Sequence, residues 1–179
     1  MSEESFYLSK SLFIRGLQCH KSLYLHKYYP ELKDEVTESQ EAIFQIGYEV
    51  GDYAKSLFPG GTEIVYEDNN YDEQLELTRA EIEKGTATIY EAAFSYDNIF
   101  IKADILHKGN DGWELYEVKS ASDIHEHYYN DISIQYYVIK GCGIPVSKAF
   151  IVYINDQYVR NGEIESSKLF TITDVTADI

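Results

Sequence analysis

Cysteine is scarce in this 179-residue chain, and no apolar run is long. Cys19 and Cys142 are its two cysteines; they form no Cys-x-x-Cys pair, which excludes a zinc or iron–sulfur spacing and a disulfide framework. No apolar stretch approaches the ~20 residues that a membrane helix needs. The first four residues, MSEE, carry acids where a signal peptide carries basic residues. We therefore expect a reduced, cytoplasmic protein with no membrane partner.

Positive charge is also scarce, and it is unevenly distributed. Lys and Arg number 15 against 31 Asp and Glu, so the net charge is −16. Such acidity argues against a protein that coats nucleic acid by bulk charge. Between Ser5 and Pro30, however, there are four cations and no acids. We expect Arg15, His20 and Lys21 in this segment either to contact nucleic acid or to form a solvated helix face.

Hydrophobic residues are plentiful, which excludes wholesale disorder. They make up 44% of the chain, and aromatic residues make up 15%. The length suits one domain, and we find no internal repeat. We expect a single domain over residues 1–179, with a helical part at about 8–60 and a core at about 86–155. The chain could also be a fragment of a longer protein.

Apolar periodicity and capping residues predict helices in the N-terminal half and one later helix. The predicted helices are Ser9–Tyr29, Glu38–Phe58, Asp72–Lys84 and Tyr128–Lys140.

Runs rich in β-branched and aromatic residues predict the strands. Three of them, separated by short turns, form a meander: Thr88–Phe94, Ile99–His107 and Trp113–Ser120. Shorter strands are predicted at Thr62–Tyr66, Ala149–Ile154 and Leu169–Thr173. The strand after the last helix should join the meander in parallel, so the fold class is α/β.

Each meander strand inserts one acid into apolar sequence: Glu91, Asp104 and Glu117. Burying an unpaired carboxylate costs several kcal/mol, so a single one of these acids is best explained by a salt bridge, for example to Lys119. Three acids with one lysine leave two negative charges uncompensated. Because hard oxygen ligands suit magnesium or manganese, a divalent cation is the economical partner for the set.

These residues resemble the PD-(D/E)xK nuclease superfamily, and more narrowly its RecB-type branch. Asp104 is followed thirteen residues later by Glu117-Val118-Lys119, and then by a helix bearing Gln135. The segment Leu8-Ser-Lys-Ser11 and the helix around Gly47 also resemble that branch. The resemblance covers about residues 8–155. It implies a restriction-endonuclease-like core: a three-stranded meander, a helix and a further strand, with N-terminal helices packed on the sheet.

The resemblance also implies roles for individual residues. Asp104, Glu117 and the Val118 carbonyl would hold Mg²⁺ or Mn²⁺, Lys119 would orient the attacking water, and Gln135 would position a ligand or substrate. The branch often has Gly-x-x-x-His on its second helix, but here Gly47 is followed by Gly51. Glu91 or Glu49 would then complete the metal shell. Only Cys19 matches the iron–sulfur relatives, so no cluster is expected.

The function we expect is metal-dependent hydrolysis of DNA, more than RNA, in an exonuclease-like manner, in DNA repair or defence. The chain also looks like an uncharacterised bacterial family in which this module precedes a C-terminal domain. One alternative is a weak or inactive nuclease-fold module that binds nucleic acid or protein. Another is an acidic interaction module whose strand carboxylates are simply ion-paired.

Overall fold

Helices and strands combine in an α/β fold, as predicted. The computed structural model describes residues 8–65 and 70–179. Its elements are, in order, β1 (Leu8–Ser9), α1 (Lys10–Gln18), α2 (His20–Tyr28), a 3₁₀ turn (Pro30–Leu32), α3 (Glu38–Lys55), β2 (Thr62–Glu63), α4 (Tyr71–Lys84), β3 (Thr88–Tyr96), β4 (Ile99–Lys108), β5 (Trp113–Lys119), α5 (Glu126–Gly141), β6 (Val146–Ile154), α6 (Ser166–Leu169) and β7 (Phe170–Asp174).

Capping residues account for the start of α3 and for both ends of α4. Thr37 and Gln40 form a capping box at the start of α3, each side chain bonding the other residue's backbone N–H. The side chain of Asn70 accepts from the Glu73 backbone at the start of α4, and Gly85 ends that helix with a φ of 85°. These two predicted helices are confirmed.

The prediction of one continuous helix over Ser9–Tyr29 is wrong. Ser9 does cap the first helix, but Cys19 is extended, with φ −163° and ψ 112°, and separates α1 from α2. The two helices pack closely, because a Cβ on Gly16 would lie 3.0 Å from the Leu23 side chain. The leucine periodicity of the sequence continues across a break of one residue. It could therefore not reveal the break at Cys19.

One mixed sheet joins the seven strands of the described residues, in the order β2-β3-β4-β5-β6-β7 with β1 beside β4. Strands β3, β4 and β5 form the predicted antiparallel meander, and β6 pairs in parallel with β5, as predicted. The short strand expected over Thr62–Tyr66 is present at Thr62–Glu63, parallel to β3. Tyr66 lies outside the described residues.

Strands β4 and β5 separate partway along their length. Their pairing runs from Lys108↔Trp113 to Ile105↔Tyr116 and stops there. Strand β1 pairs in parallel with residues Ile99 and Phe100 of β4. Since β3 occupies the other edge of β4 along this stretch, β1 lies on the edge that β5 has left. The opening between β4 and β5 is called the strand fork below.

Both faces of the sheet are covered, which places the fork between two helical layers. The first core contains the inward residues of α5 with side chains from α1 and α4, and the second contains Ala54 and neighbouring side chains of α3. Among the described residues no helix is both long and apolar enough to cross a membrane.

Candidate active site

The alternation of side chains on β3 is interrupted at Glu91. Ile89 and Ala92 both pack in the first core, although they are three residues apart, while Tyr90 packs in the second. Glu91 has a φ of 54°, a left-handed conformation that costs a non-glycine residue about 1–2 kcal/mol. Such strain often accompanies functional sites, and here it coincides with the shift in alternation along β3.

A matching interruption lies opposite on β4. Ala103 and Leu106 both pack in the first core, whereas Ile105 packs in the second. The interruption therefore falls at Asp104, between the pairs Ala92↔Ala103 and Tyr90↔Ile105. Glu91 and Asp104 consequently border the same two clefts.

These clefts meet at the strand fork. The first, of about 650 Å³, lies between α3 and the sheet, and its wall includes Phe44, Gly47 and Tyr48. The second, of about 460 Å³, lies on the side of α1 and is bordered by Lys10. Both include Glu91 and Asp104 in their walls.

At the fork, the Asp104 side chain takes the place of a β4 backbone carbonyl as the hydrogen-bond acceptor for β5. Its Oδ2 accepts from the Val118 N–H at 2.7 Å, just beyond the last β4–β5 pair. Burial, followed by the negative charges of Glu117 and Glu91, raises the pKa of Asp104 to about 7, although Lys10 and the Val118 bond oppose the shift. The carboxylates of Glu117 and Glu91 are therefore close enough to repel the charge of Asp104.

Glu117 lies in the opposite electrostatic environment. Its side chain is 2% exposed. Its Oε1 accepts from Lys119 Nζ at 2.8 Å and Lys10 Nζ at 2.9 Å; its Oε2 accepts from Gln135 Nε2 at 2.5 Å and Lys10 Nζ at 3.2 Å. Burial by itself would raise the pKa of Glu117, but Lys10 and Lys119 outweigh it and lower the value to about 2.

Asp131 of α5 supports two of these donors. Lys119 Nζ also contacts Asp131 Oδ2, and it lies 4.8 Å from the Tyr128 ring centroid. Although burial opposes it, the charges of Glu117 and Asp131 raise the pKa of Lys119. Gln135 Nε2 donates to the Asp131 carbonyl at 3.1 Å, while Gln135 Oε1 has no hydrogen-bond partner among the described residues.

Sequence reasoning missed Asp131 and the role of Lys10. Asp131 and Gln135 are four residues apart on α5, a spacing that puts them on one helix face, so the position of Gln135 was a usable signal. Lys10 lies 107 residues before Glu117, and no local pattern connects the two.

Glu91 lies beside Lys102, with Nζ and Oε2 3.8 Å apart. Burial is the main cause that raises the pKa of Glu91. Glu49 lies elsewhere: its side chain is exposed and accepts from Gln45 Nε2 at 3.2 Å, and it borders neither cleft. Its place in a metal shell stays a prediction.

The oxygen donors of these residues are of the chemical type that binds a divalent cation. Carboxylate and carbonyl oxygens of Glu91, Asp104, Glu117 and Val118 are the ligands that Mg²⁺ and Mn²⁺ prefer. Within residues 8–65 and 70–179, however, no three acidic, histidine or cysteine side chains are grouped closely enough to hold a metal. In addition, both Glu117 oxygens accept hydrogen bonds from ammonium and amide donors.

Two of the three predicted nucleic-acid contacts share a cleft in the helical layer. Arg15 and Lys21 border a cleft of about 400 Å³ between α1, α2 and the following turn, together with His26 and Lys33. Arg15 Nη1 is held there by Ser22 Oγ at 3.0 Å. His20 is exposed and does not border this cleft.

Comparison with known proteins assigns no family. No family model matches the chain, and no curated protein does. Among solved structures it is similar to the crystal structure of SSO0001, with 13% identity over 94% of this chain and 74% of that chain, and a TM-score of 0.49.

Proposed function

We propose that the chain is a metal-dependent nuclease built on a restriction-endonuclease-like core. The observation that carries the proposal is the convergence of four side chains from two strands and a helix. Glu117 bonds both Lys119 and Gln135, and Asp104 is tied to the same strand through the Val118 N–H. The acid pair can hold a cation, the lysine can orient water or neutralise charge on the phosphate, and the glutamine keeps Glu117 in position, which suits this hydrolysis.

Each side chain then has a defined task. A cation held by Asp104, Glu117 and the Val118 carbonyl would polarise the scissile phosphate and lower the pKa of water. Lys119, kept in place by Asp131, would orient the attacking water or neutralise charge on the phosphate. Gln135 would hold the Glu117 carboxylate in position.

Features of the clefts support a nucleic-acid substrate. Phe44 and Tyr48, one helical turn apart, border the first cleft beside Asp104, and exposed aromatic rings can stack on bases. Arg15 and Lys21 supply cations that can contact phosphates. The preference for DNA and for exonuclease-like cleavage follows from the resemblance.

The second candidate is a nuclease-fold module that binds nucleic acid or protein without cleaving it. The observation that favours it is the ion pairing of Glu117, whose oxygens are fully occupied by protein donors. It predicts nucleic-acid binding in EDTA and no cleavage in Mn²⁺.

The decisive assay measures Mn²⁺-dependent release of nucleotides from labelled DNA. Asp104→Ala and Lys119→Ala should each lower the rate by about 100-fold or more, because the first removes a metal ligand and the second a charged group at the phosphate. Lys84→Met is the control, since Lys84 is an exposed lysine paired with Glu81 on α4. Equal rates in the wild type and all three variants would indicate a contaminating nuclease and overturn the proposed function.

A further inference from the structure

Lys10 places a second ammonium group on the Glu117 carboxylate. Its Nζ lies 2.9 Å from Oε1 and 3.2 Å from Oε2, while Lys119 Nζ already contacts Oε1 at 2.8 Å. The resemblance assigns a role to Lys119 and none to Lys10. The second lysine therefore needs its own explanation.

Occupation by donors leaves Glu117 unable to act as a ligand in this state. Lys10 and Lys119 share Oε1, and Gln135 and Lys10 share Oε2. A hard cation binds through the same oxygen lone pairs. A cation can therefore bind Glu117 only after one of the three donors has moved.

Lys10 is the donor that can move most readily. Lys119 and Gln135 each have a second partner in Asp131, whereas the hydrogen bonds of the Lys10 side chain, within the described residues, go to Glu117 alone. The Lys10 side chain is 25% exposed. It also borders the second cleft, which provides space for a displaced ammonium group.

We propose that Lys10 is a positioning residue that holds Glu117 when no metal is bound and competes with the divalent cation for its carboxylate. This inference depends on the metal site proposed above. Removing the Lys10 ammonium takes one positive charge away from the surroundings of the Glu117 carboxylate. The carboxylate then attracts a cation more strongly, since these charges are only a few ångströms apart in a partly buried site. Removal of Lys10 should therefore tighten metal binding.

The test is calorimetric titration of Mn²⁺ into the metal-free protein without nucleic acid. Lys10→Met should lower the Mn²⁺ dissociation constant by about tenfold or more relative to wild type. Lys84→Met is the matched control, because it removes the same charge from an exposed position on α4 and should bind as wild type does. Circular dichroism checks folding, and Lys10→Gln replaces the methionine variant if that variant unfolds.

The outcomes separate this inference from the proposed function. Tighter binding by the Lys10 variant alone supports the competition, and so does binding that only this variant shows. Wild-type binding that Asp104→Asn abolishes but Lys10→Met leaves unchanged or weakens would overturn the role of Lys10 and leave the metal site standing. Absence of binding in both wild type and Lys10→Met would overturn both.

Discussion

Asp104 and Glu117 are neighbouring carboxylates whose surroundings shift their pKa values in opposite directions. Burial and the negative charges of Glu117 and Glu91 raise the pKa of Asp104 to about 7. For Glu117, burial acts in the same sense but Lys10 and Lys119 reverse it, and the pKa falls to about 2. Pairs of titratable groups separated in this way are typical of acid–base chemistry, and they also make opposite contributions to stability.

Amide replacement should reveal these opposite contributions in metal-free protein at pH 8. Asp104→Asn removes a charge that the fold disfavours and keeps an acceptor for the Val118 N–H, so the melting temperature should rise by about 3 °C or more. Glu117→Gln removes the anion that Lys10 and Lys119 share and leaves Lys119 with Asp131 alone, so the melting temperature should fall by about 5 °C or more. Calorimetry in EDTA measures both.

The pH dependence follows from the sign of each shift. The raised pKa of Asp104 contributes stability below its unfolded value of 3.8, and this contribution is lost as pH rises towards 7. The gain from Asp104→Asn should therefore shrink between pH 8 and pH 4.5. The lowered pKa of Glu117 contributes stability above 4.5, which is lost as pH falls towards 2. A gain from Asp104→Asn that is independent of pH would contradict this account.

At the scale of residues, the sequence revealed the acids better than their partners. Glu91, Asp104 and Glu117 are recognisable because each interrupts an apolar strand. The contact of Lys10 with Glu117 spans 107 residues, and it exists only because β1 lies in the strand fork and α1 begins there. A tertiary juxtaposition of this kind leaves no periodic trace in the sequence.

Helix α3 carries an unusually apolar exposed surface. It presents large apolar side chains to solvent: Ile43 at 61% exposure, Phe44 at 57%, Ile46 at 52% and Tyr48 at 74%. Most of them border the first cleft, together with Gly47 and Gly51, where a Cβ would meet nothing within 4 Å. This face of the helix is therefore open for a base to approach Phe44 or Tyr48.

A pair of alanine variants tests whether the cleft face of α3 stacks on bases. Phe44→Ala should weaken binding of a single-stranded oligonucleotide about tenfold, because one aromatic–base stack contributes about 1–3 kcal/mol. Ile46→Ala is the matched control, since Ile46 is similarly exposed but does not border the cleft. Fluorescence anisotropy in EDTA measures binding without cleavage. Equal effects of the two variants would show that the face has no specific role.

Elements with clear terminal signals were predicted well. Thr37 and Asn70 at helix starts and Gly85 at a helix end are local signals, and the helices they bound were confirmed. The break at Cys19 has no such signal. The interruptions at Glu91 and Asp104 were also missed, because strict alternation would place Ile89 and Glu91 on one face. Here the left-handed backbone of Glu91 interrupts the periodicity.

At the scale of the whole molecule, most of the net charge of −16 comes from residues 31–97, which hold 17 acids and four cations. The acids of the site are largely paired: Glu117 with Lys10 and Lys119, and Glu91 with Lys102. Arg15 and Lys21 border a separate cleft. The acidity therefore disfavours coating of nucleic acid by bulk charge. It is compatible with a small acidic centre that a cation would complete.

The most direct test of the proposed metal site is a crystal structure of the protein soaked in Mn²⁺, with anomalous difference density collected at the manganese edge. We expect a peak between Asp104 and Glu117, bordered by the Val118 carbonyl, with the Lys10 ammonium moved away from Glu117. Well-ordered Asp104 and Glu117 side chains with no peak between them, and Lys10 still bonded to Glu117, would contradict the account.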